Sequence, residues 1–458
     1  GTMLSVTDSI WDTTALTSGA TLVDAEGVGT VFDAGAVTFL NARFNGAGGT
    51  QVQTISSTAG AVVNLGGVET LETPFDSEDR IDFVVSDTAD VRLDALQTIS
   101  GGPGDARFVL DVDMYALPSL AVAGDTWFDL SPGTDLSVPA LTSFGGRMDV
   151  RDGASIDAPA LESFDGATVI VEPGGTLSAP LASSFVNSSL RVESGQSLTL
   201  PALNVIDDSR FEVFSGETFG VAATTWETTG LTSGATLIDA QGQGTLLDFN
   251  SITSLGANFN GPGGTQVQTI SAIANAAVDL SGVETIFEPV DGEDRVDITV
   301  GSGATIDLSA LQTTTGAGTT RFTLADADSL LNLASYRTFD QPVQCTVSGA
   351  AVLRLAGLGV TGTGRFTADD DVSGYPVATV DGSVRNELTL ETNFRTGDLK
   401  LMLTPAYATF EAASEDVGTM DPGDDVFEFG ELTVQPPAVR GGHQAGPAPE
   451  GAHPPEAP

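Results

Sequence analysis

The sequence predicts an all-β fold, a parallel β-solenoid (β-helix) built from coils of about 21 residues. Three observations carry this expectation. A long block of sequence occurs twice. Between the copies, proline recurs at nearly constant spacing. Throughout the chain, short β-branched runs end in Gly, Asp, Asn or Pro, which is the chemistry of strands and turns.

The duplication is the clearest of the three. WDTTALTSGATLVDA from Trp11 returns as WETTGLTSGATLIDA from Trp226, an offset of 215 residues. FNGAGGTQVQTIS at Phe44 returns as FNGPGGTQVQTIS at Phe259, and LDALQT at Leu93 as LSALQT at Leu308. Over residues 11–98, 52 of 88 positions are identical to their partners without a gap, which makes this an internal duplication. Between the copies, Pro118, Pro139, Pro159, Pro180 and Pro201 follow one another at 21, 20, 21 and 21 residues. A unit this short cannot bury its own apolar face, so the units must stack and place equivalent side chains in ladders. Period-2 alternation and frequent breakers exclude long helices. Proline fits a corner, where no ladder donor is needed. The expected inward residues are Leu141, Phe144, Val150, Ile156, Leu161, Phe164, Val169, Val171, Leu177, Phe185, Leu190, Val192, Leu198, Leu203, Phe211 and Val213.

The chain then divides as follows: an N-terminal segment (1–10), the first duplicated block (11–115), regular 21-residue coils (116–225), the second duplicated block (226–330), final coils (331–384), a small C-terminal β cap or assembly region (385–435) and a Pro-rich tail (436–458). Roughly 380 residues at about 21 per coil predict a rod on the order of 85 Å, at ~4.8 Å per coil.

Composition limits the function. The 458 residues carry a net charge of −45, and Lys400 is the only lysine. Such a chain repels phosphate backbones and anionic lipid surfaces, which argues against nucleic acid and membrane partners. No run of apolar residues is long enough for a membrane helix. Gly1-Thr2-Met3 does not read as a signal peptide, so secretion or surface display is inferred from composition and repeats. Cys345 is the only cysteine, which excludes an intrachain disulfide and is expected to be a small buried residue. His443 and His453, the only histidines, lie in the tail, and no zinc or P-loop pattern occurs. The expectation is therefore a non-enzyme with no required cofactor.

Carboxylates are the only plentiful reactive groups. Asp76, Glu78, Asp79 and Asp82 surround Arg80, and Asp291, Glu293, Asp294 and Asp297 repeat this around Arg295. With Asp369, Asp370 and Asp371, these are the calcium candidates, because Ca2+ takes several oxygen ligands and Asp-rich turns supply them. The bland alternative is a solvated acidic turn with one local ion pair. Trp11, Trp226 and Trp127 are expected to pack in the core or a cap, with a sugar-stacking platform as the alternative.

The Pro-Ala-Leu coils with a following Gly corner resemble bacterial extracellular and surface β-solenoids, the adhesin, autotransporter-passenger and fibre-subunit types. The resemblance covers about residues 10–370 as an architecture and implies a long rigid extracellular stalk or fibre. It carries over no catalytic residue. The functional expectation is an extracellular structural protein, a self-assembling head-to-tail filament or matrix subunit, with Ca2+ as a candidate stabiliser. The alternatives are a monomeric surface adhesin stalk that contacts polysaccharide or a cell surface, and a β-helical polysaccharide lyase or hydrolase.

Overall fold

In the computed structural model, residues 1–336 are described apart from 47, 194–196, 201, 202, 215 and 327. Beyond them, only the backbone of β-strands is described. Among the described residues every helix-length segment is strand or turn, and all strand pairs but one are parallel. The fold is a parallel β-solenoid, as the repeats predict.

Each full coil has three faces. The first coil holds Met3–Ser5, Ile10–Asp12 and Ala20–Glu26 on its first, second and third faces. The next coil lays Val31–Asp33, Phe39–Asn41 and Val52–Thr58 directly on these. The third-face ladder continues without a break through every coil to Leu388–Asn393. The first face is divided into three ladders, Met3–Arg92, Met114–Thr199 and Thr218–Leu403. The second face fuses with the third in Val122–Leu130 and Ser143–Val150, then thins to single bridges at Ser163, Ser184 and Val205. Backbone strands Val377–Asp381, Leu388–Asn393 and Lys400–Leu403 extend the same parallel ladders, and Val426–Phe427 lies antiparallel on Leu390 and Glu391. The Pro-rich tail lies outside the described residues.

Coil length differs between the blocks. Proline-marked coils repeat every 20 or 21 residues, as Met114 pairs with Asp135, Asp135 with Ser155 and Ser155 with Thr176. Coils in the duplicated blocks are longer, 28 residues from Met3 to its partner Val31, 31 from Val31 to Val62 and 25 from Arg80 to Asp105. The extra residues form loops between the second and third faces, such as 42–51 and its copy 257–266. Longer coils mean fewer coils, so the rod is on the order of 70 Å rather than 85 Å, at ~4.8 Å per step.

The corners follow from local sequence. After the first-face strand, a four-residue turn closes from Val138 to Leu141 and from Ala158 to Leu161, with Pro139 and Pro159 at its second position. There the fixed φ is favourable and no donor is lost. The same turn without proline closes from Leu65 to Val68, Leu93 to Leu96, Leu280 to Val283 and Leu308 to Leu311. The corner leaving the third face needs positive φ, which Gly133, Gly153 and Gly174 supply.

Inward side chains stack in columns. Phe83, Phe108 and Phe128 follow one another at 4.9 and 5.6 Å between ring centroids. Phe164, Phe185 and Phe211 form a second run at 5.9 and 5.7 Å. Every predicted inward residue is buried except Leu198, which is half-buried. Of the tryptophans, Trp226 is core, Trp11 is half-buried at the N-terminal edge, and Trp127 points outward from the third face.

Candidate functional site

The acidic clusters predicted from sequence occupy the same turn in both copies, just before the third-face strands Arg80–Ser86 and Arg295–Val300. Asp76 accepts a backbone bond from Glu78, and Asp291 from Glu293, so each turn is closed by its own first carboxylate. Asp79 is buried and faces the preceding coil. Its two oxygens accept the backbone N–H groups of Gly46 and Gln51, each at 2.8 Å. Asp294 does the same with Gly261 and Gln266, at 3.0 and 2.7 Å. These carboxylates clamp the long glycine loops. A buried glutamine locks the loop one coil further back. Gln53 accepts from the Thr13 hydroxyl at 2.6 Å and donates to the Leu16 carbonyl at 3.1 Å, and Gln268 bonds Thr228 and Leu231 in the same way. Asp82 and Asp297 point outward and pair with Arg80 and Arg295, each at 3.0 Å. Among the described residues, no three Asp, Glu, His or Cys side chains converge in a group that could hold a metal. Asp369, Asp370 and Asp371 lie outside the residues whose side chains are described.

A second charged region was not singled out by the sequence. On the outer side of the third face, Asp82, Arg107, Trp127 and Arg147 stand in one column, at matching positions of successive coils. The guanidinium carbons of Arg107 and Arg147 lie 4.0 and 5.0 Å from the Trp127 ring centroid. The Trp127 Nε1–H donates to Asp149 at 2.9 Å, and Asp149 also takes Arg147 at 2.8 Å. Asp129, buried, is shared by Arg107 and Arg151. The result is a girdle of alternating charge around one indole, with each cation–π contact worth about 0.5–2 kcal/mol.

Its carboxylates are not alike. Burial pushes the Asp82 pKa up, against the nearby positive charge of Arg80 and Arg107. Burial also raises Asp105, which the negative charge of Asp125 raises further. Asp125 sits at the bulge between Gly124 and Thr126 with φ of 42°, and burial raises its pKa as well. Raised carboxyls beside cations are what sites for acid–base work or anion recognition contain, although structural ion-pair networks produce them too. The signal that could have found this girdle is the aligned text around Phe108, Phe128 and Met148, which places Arg107, Trp127 and Arg147 one coil apart.

No protein-family model, curated protein or solved structure matches this chain.

Proposed function

We propose that this chain is an extracellular structural protein, a β-solenoid rod that assembles into a filament or matrix. The observation that supports this reading most is the third-face ladder, unbroken from Ala20–Glu26 to Leu388–Asn393. Every step adds parallel backbone bonds along the rod, and the interior stacks add apolar contact at each coil. The outer wall meets its polar needs coil to coil, through the girdle and through pairs such as Ser56 with Asp24 at 2.7 Å and Ser271 with Asp239 at 2.9 Å. Such a wall suits a rigid extended body. Calcium enters only as a counter-ion that would relieve part of the charge of −45 in an assembly.

Negative-stain microscopy with millimolar calcium and with chelator tests the proposal. Regular filaments or sheets are the expected product. Loss of order in chelator assigns calcium a part, and order in both conditions removes it. Isolated rods on the order of 70 Å in both would overturn assembly and leave the monomeric adhesin stalk.

The girdle favours a second reading, a β-helical polysaccharide-active protein. Asp105 and Asp125, with raised pKa values, lie two residues before Arg107 and Trp127 on neighbouring strands, and the Trp127 indole is half-buried. Against it, the two arginines already occupy the ring. Uronic-acid and sulfated polymers are the substrates to try, with Asp105→Asn as the inactive control. Polymer left unchanged after prolonged incubation would end this reading.

A further inference from the structure

The two glycine loops contain the only Asn-Gly steps in the sequence, Asn45-Gly46 and Asn260-Gly261. At such a step the backbone attacks the preceding side chain most readily, because glycine has no Cβ to hinder its own nitrogen. Both asparagines are exposed, so water reaches them and ammonia can leave. Glycine is needed here for a different reason. A Cβ on Gly46 would collide with the Gln51 side chain, and one on Gly261 with that of Gln266. The close fit of the loop therefore brings a labile step with it, in both copies. The same fit holds the attacking nitrogen. The Gly46 N–H donates to the Asp79 carboxylate at 2.8 Å, and the Gly261 N–H to Asp294 at 3.0 Å. The other oxygen of each carboxylate takes the N–H of Gln51 or Gln266, and both side chains are buried. Ring closure requires the glycine nitrogen to lose its proton and swing onto the asparagine Cγ. The carboxylate opposes both steps. Its charge disfavours a negative nitrogen beside it, and breaking the bond leaves a buried anion short of a donor.

We infer that Asn45 and Asn260 are a matched pair of guarded modification sites, protected while Asp79 and Asp294 hold their loops and converted through a succinimide when the loops open. In the first loop the Gly46 nitrogen bonds to the Asn45 Cγ, and the side-chain nitrogen leaves as ammonia with the proton of the Gly46 N–H. Water then opens the ring at one carbonyl or the other and gives aspartate or isoaspartate. Water is the one co-reactant, and nothing is oxidised or reduced. Asn260 and Gly261 react in the same way. The product fits the closed loop less well than the asparagine did. A new carboxylate stands one residue from the N–H that the buried Asp79 must recapture, and like charges repel. Isoaspartate also adds a carbon to the backbone just before that N–H, which shifts it from its place in the clamp. An opening that was reversible thus becomes permanent, and each loop keeps its own record of having opened.

Ageing the full chain at neutral pH, followed by peptide mapping in a mass spectrometer, tests this. Conversion at each Asn-Gly step is read from its amide-to-acid mass change, and isoaspartate from enzymatic carboxyl methylation. In the folded parent both steps should convert about tenfold more slowly than in the same chain unfolded in urea, the scale set by one hydrogen bond to a charged group. Asp79→Ala should raise the rate at Asn45 relative to Asn260 by about tenfold, and Asp294→Ala should shift the ratio equally the other way. The ratio compares two steps in one molecule, so a general loosening of the rod cancels from it. Asp79→Asn keeps the shape of the side chain without its charge, and should shift the ratio in the same direction by less. Ratios that stay at the parent value in all three variants overturn the guard. A folded parent that converts as fast as the unfolded chain overturns it as well.

Discussion

From Trp11 and Trp226 onward the first coil and the tenth (Thr218–Gly220, Thr225–Glu227, Ala235–Gln241) share most of their sequence, yet their surroundings differ. Trp226 is fully buried between Phe211 and Phe249, whereas Trp11 touches one ring and is half-buried. In a stacked fold, burial is thus a property of the neighbouring coil more than of the residue. An apolar side chain facing along the axis contributes fully only when a coil sits on each side of it.

The largest effect should come from removing the two tryptophans in turn. Trp226→Ala leaves a large cavity and is expected to cost about 3–5 kcal/mol. Trp11→Ala is expected to cost roughly a third of that, since its ring gains less from burial. Denaturant unfolding of both variants checks this, and equal losses would break the comparison. Next in size are the loop clamps. Asp79→Ala or Asp294→Ala leaves two backbone N–H groups without their carboxylate, at about 2–3 kcal/mol. Because the clamp is local to each block, the two losses should agree, and protease should then cut near 44–51 or 257–266 respectively.

A smaller, pH-dependent effect belongs to the girdle, which the second block lacks in this form. Burial raises Asp105 and Asp125 above the usual carboxylate range. A carboxyl that binds its proton more tightly when folded opposes folding while ionised. This penalty is present above the folded pKa, shrinks as pH falls through it, and is gone below the unfolded value near 3.9. Asp105→Asn should therefore raise the melting temperature at neutral pH and flatten its rise toward acid. A melting curve that responds to pH as the parent's does would show that Asp105 is not the group responsible. The smallest change expected is Arg147→Ala, about 0.5–1 kcal/mol, since Arg147 is half-exposed and Arg107 retains its place over Trp127.

The middle coils were legible because they have no insertions. With constant length, Pro139 and Pro159 mark the same corner each time, and the inward residues follow by counting. The duplicated coils share the corner in another form, Leu65 to Val68 or Leu308 to Leu311, but glycine loops of unequal length hide its period. The acidic turns were legible as charged turns, and their role as clamps was not. Asp79 meets Gly46 and Gln51, which precede it by 33 and 28 residues, and only the coil register brings them together. The repetition of both halves, FNG-x-GGTQ with EDR, was the available clue. The girdle needed the same register, since Arg107, Trp127 and Arg147 are unremarkable until three successive strands are laid side by side.

The unequal continuity of the faces has a mechanical consequence. One wall is hydrogen-bonded along its whole length, whereas the first face is interrupted after Asp90–Arg92 and again after Ser197–Thr199. Sideways load therefore meets a stiff spine on one side and two seams on another. The body should flex at those two levels, opening on the interrupted side with the spine as its backing. Under tension along the axis, the seams are where separation should begin.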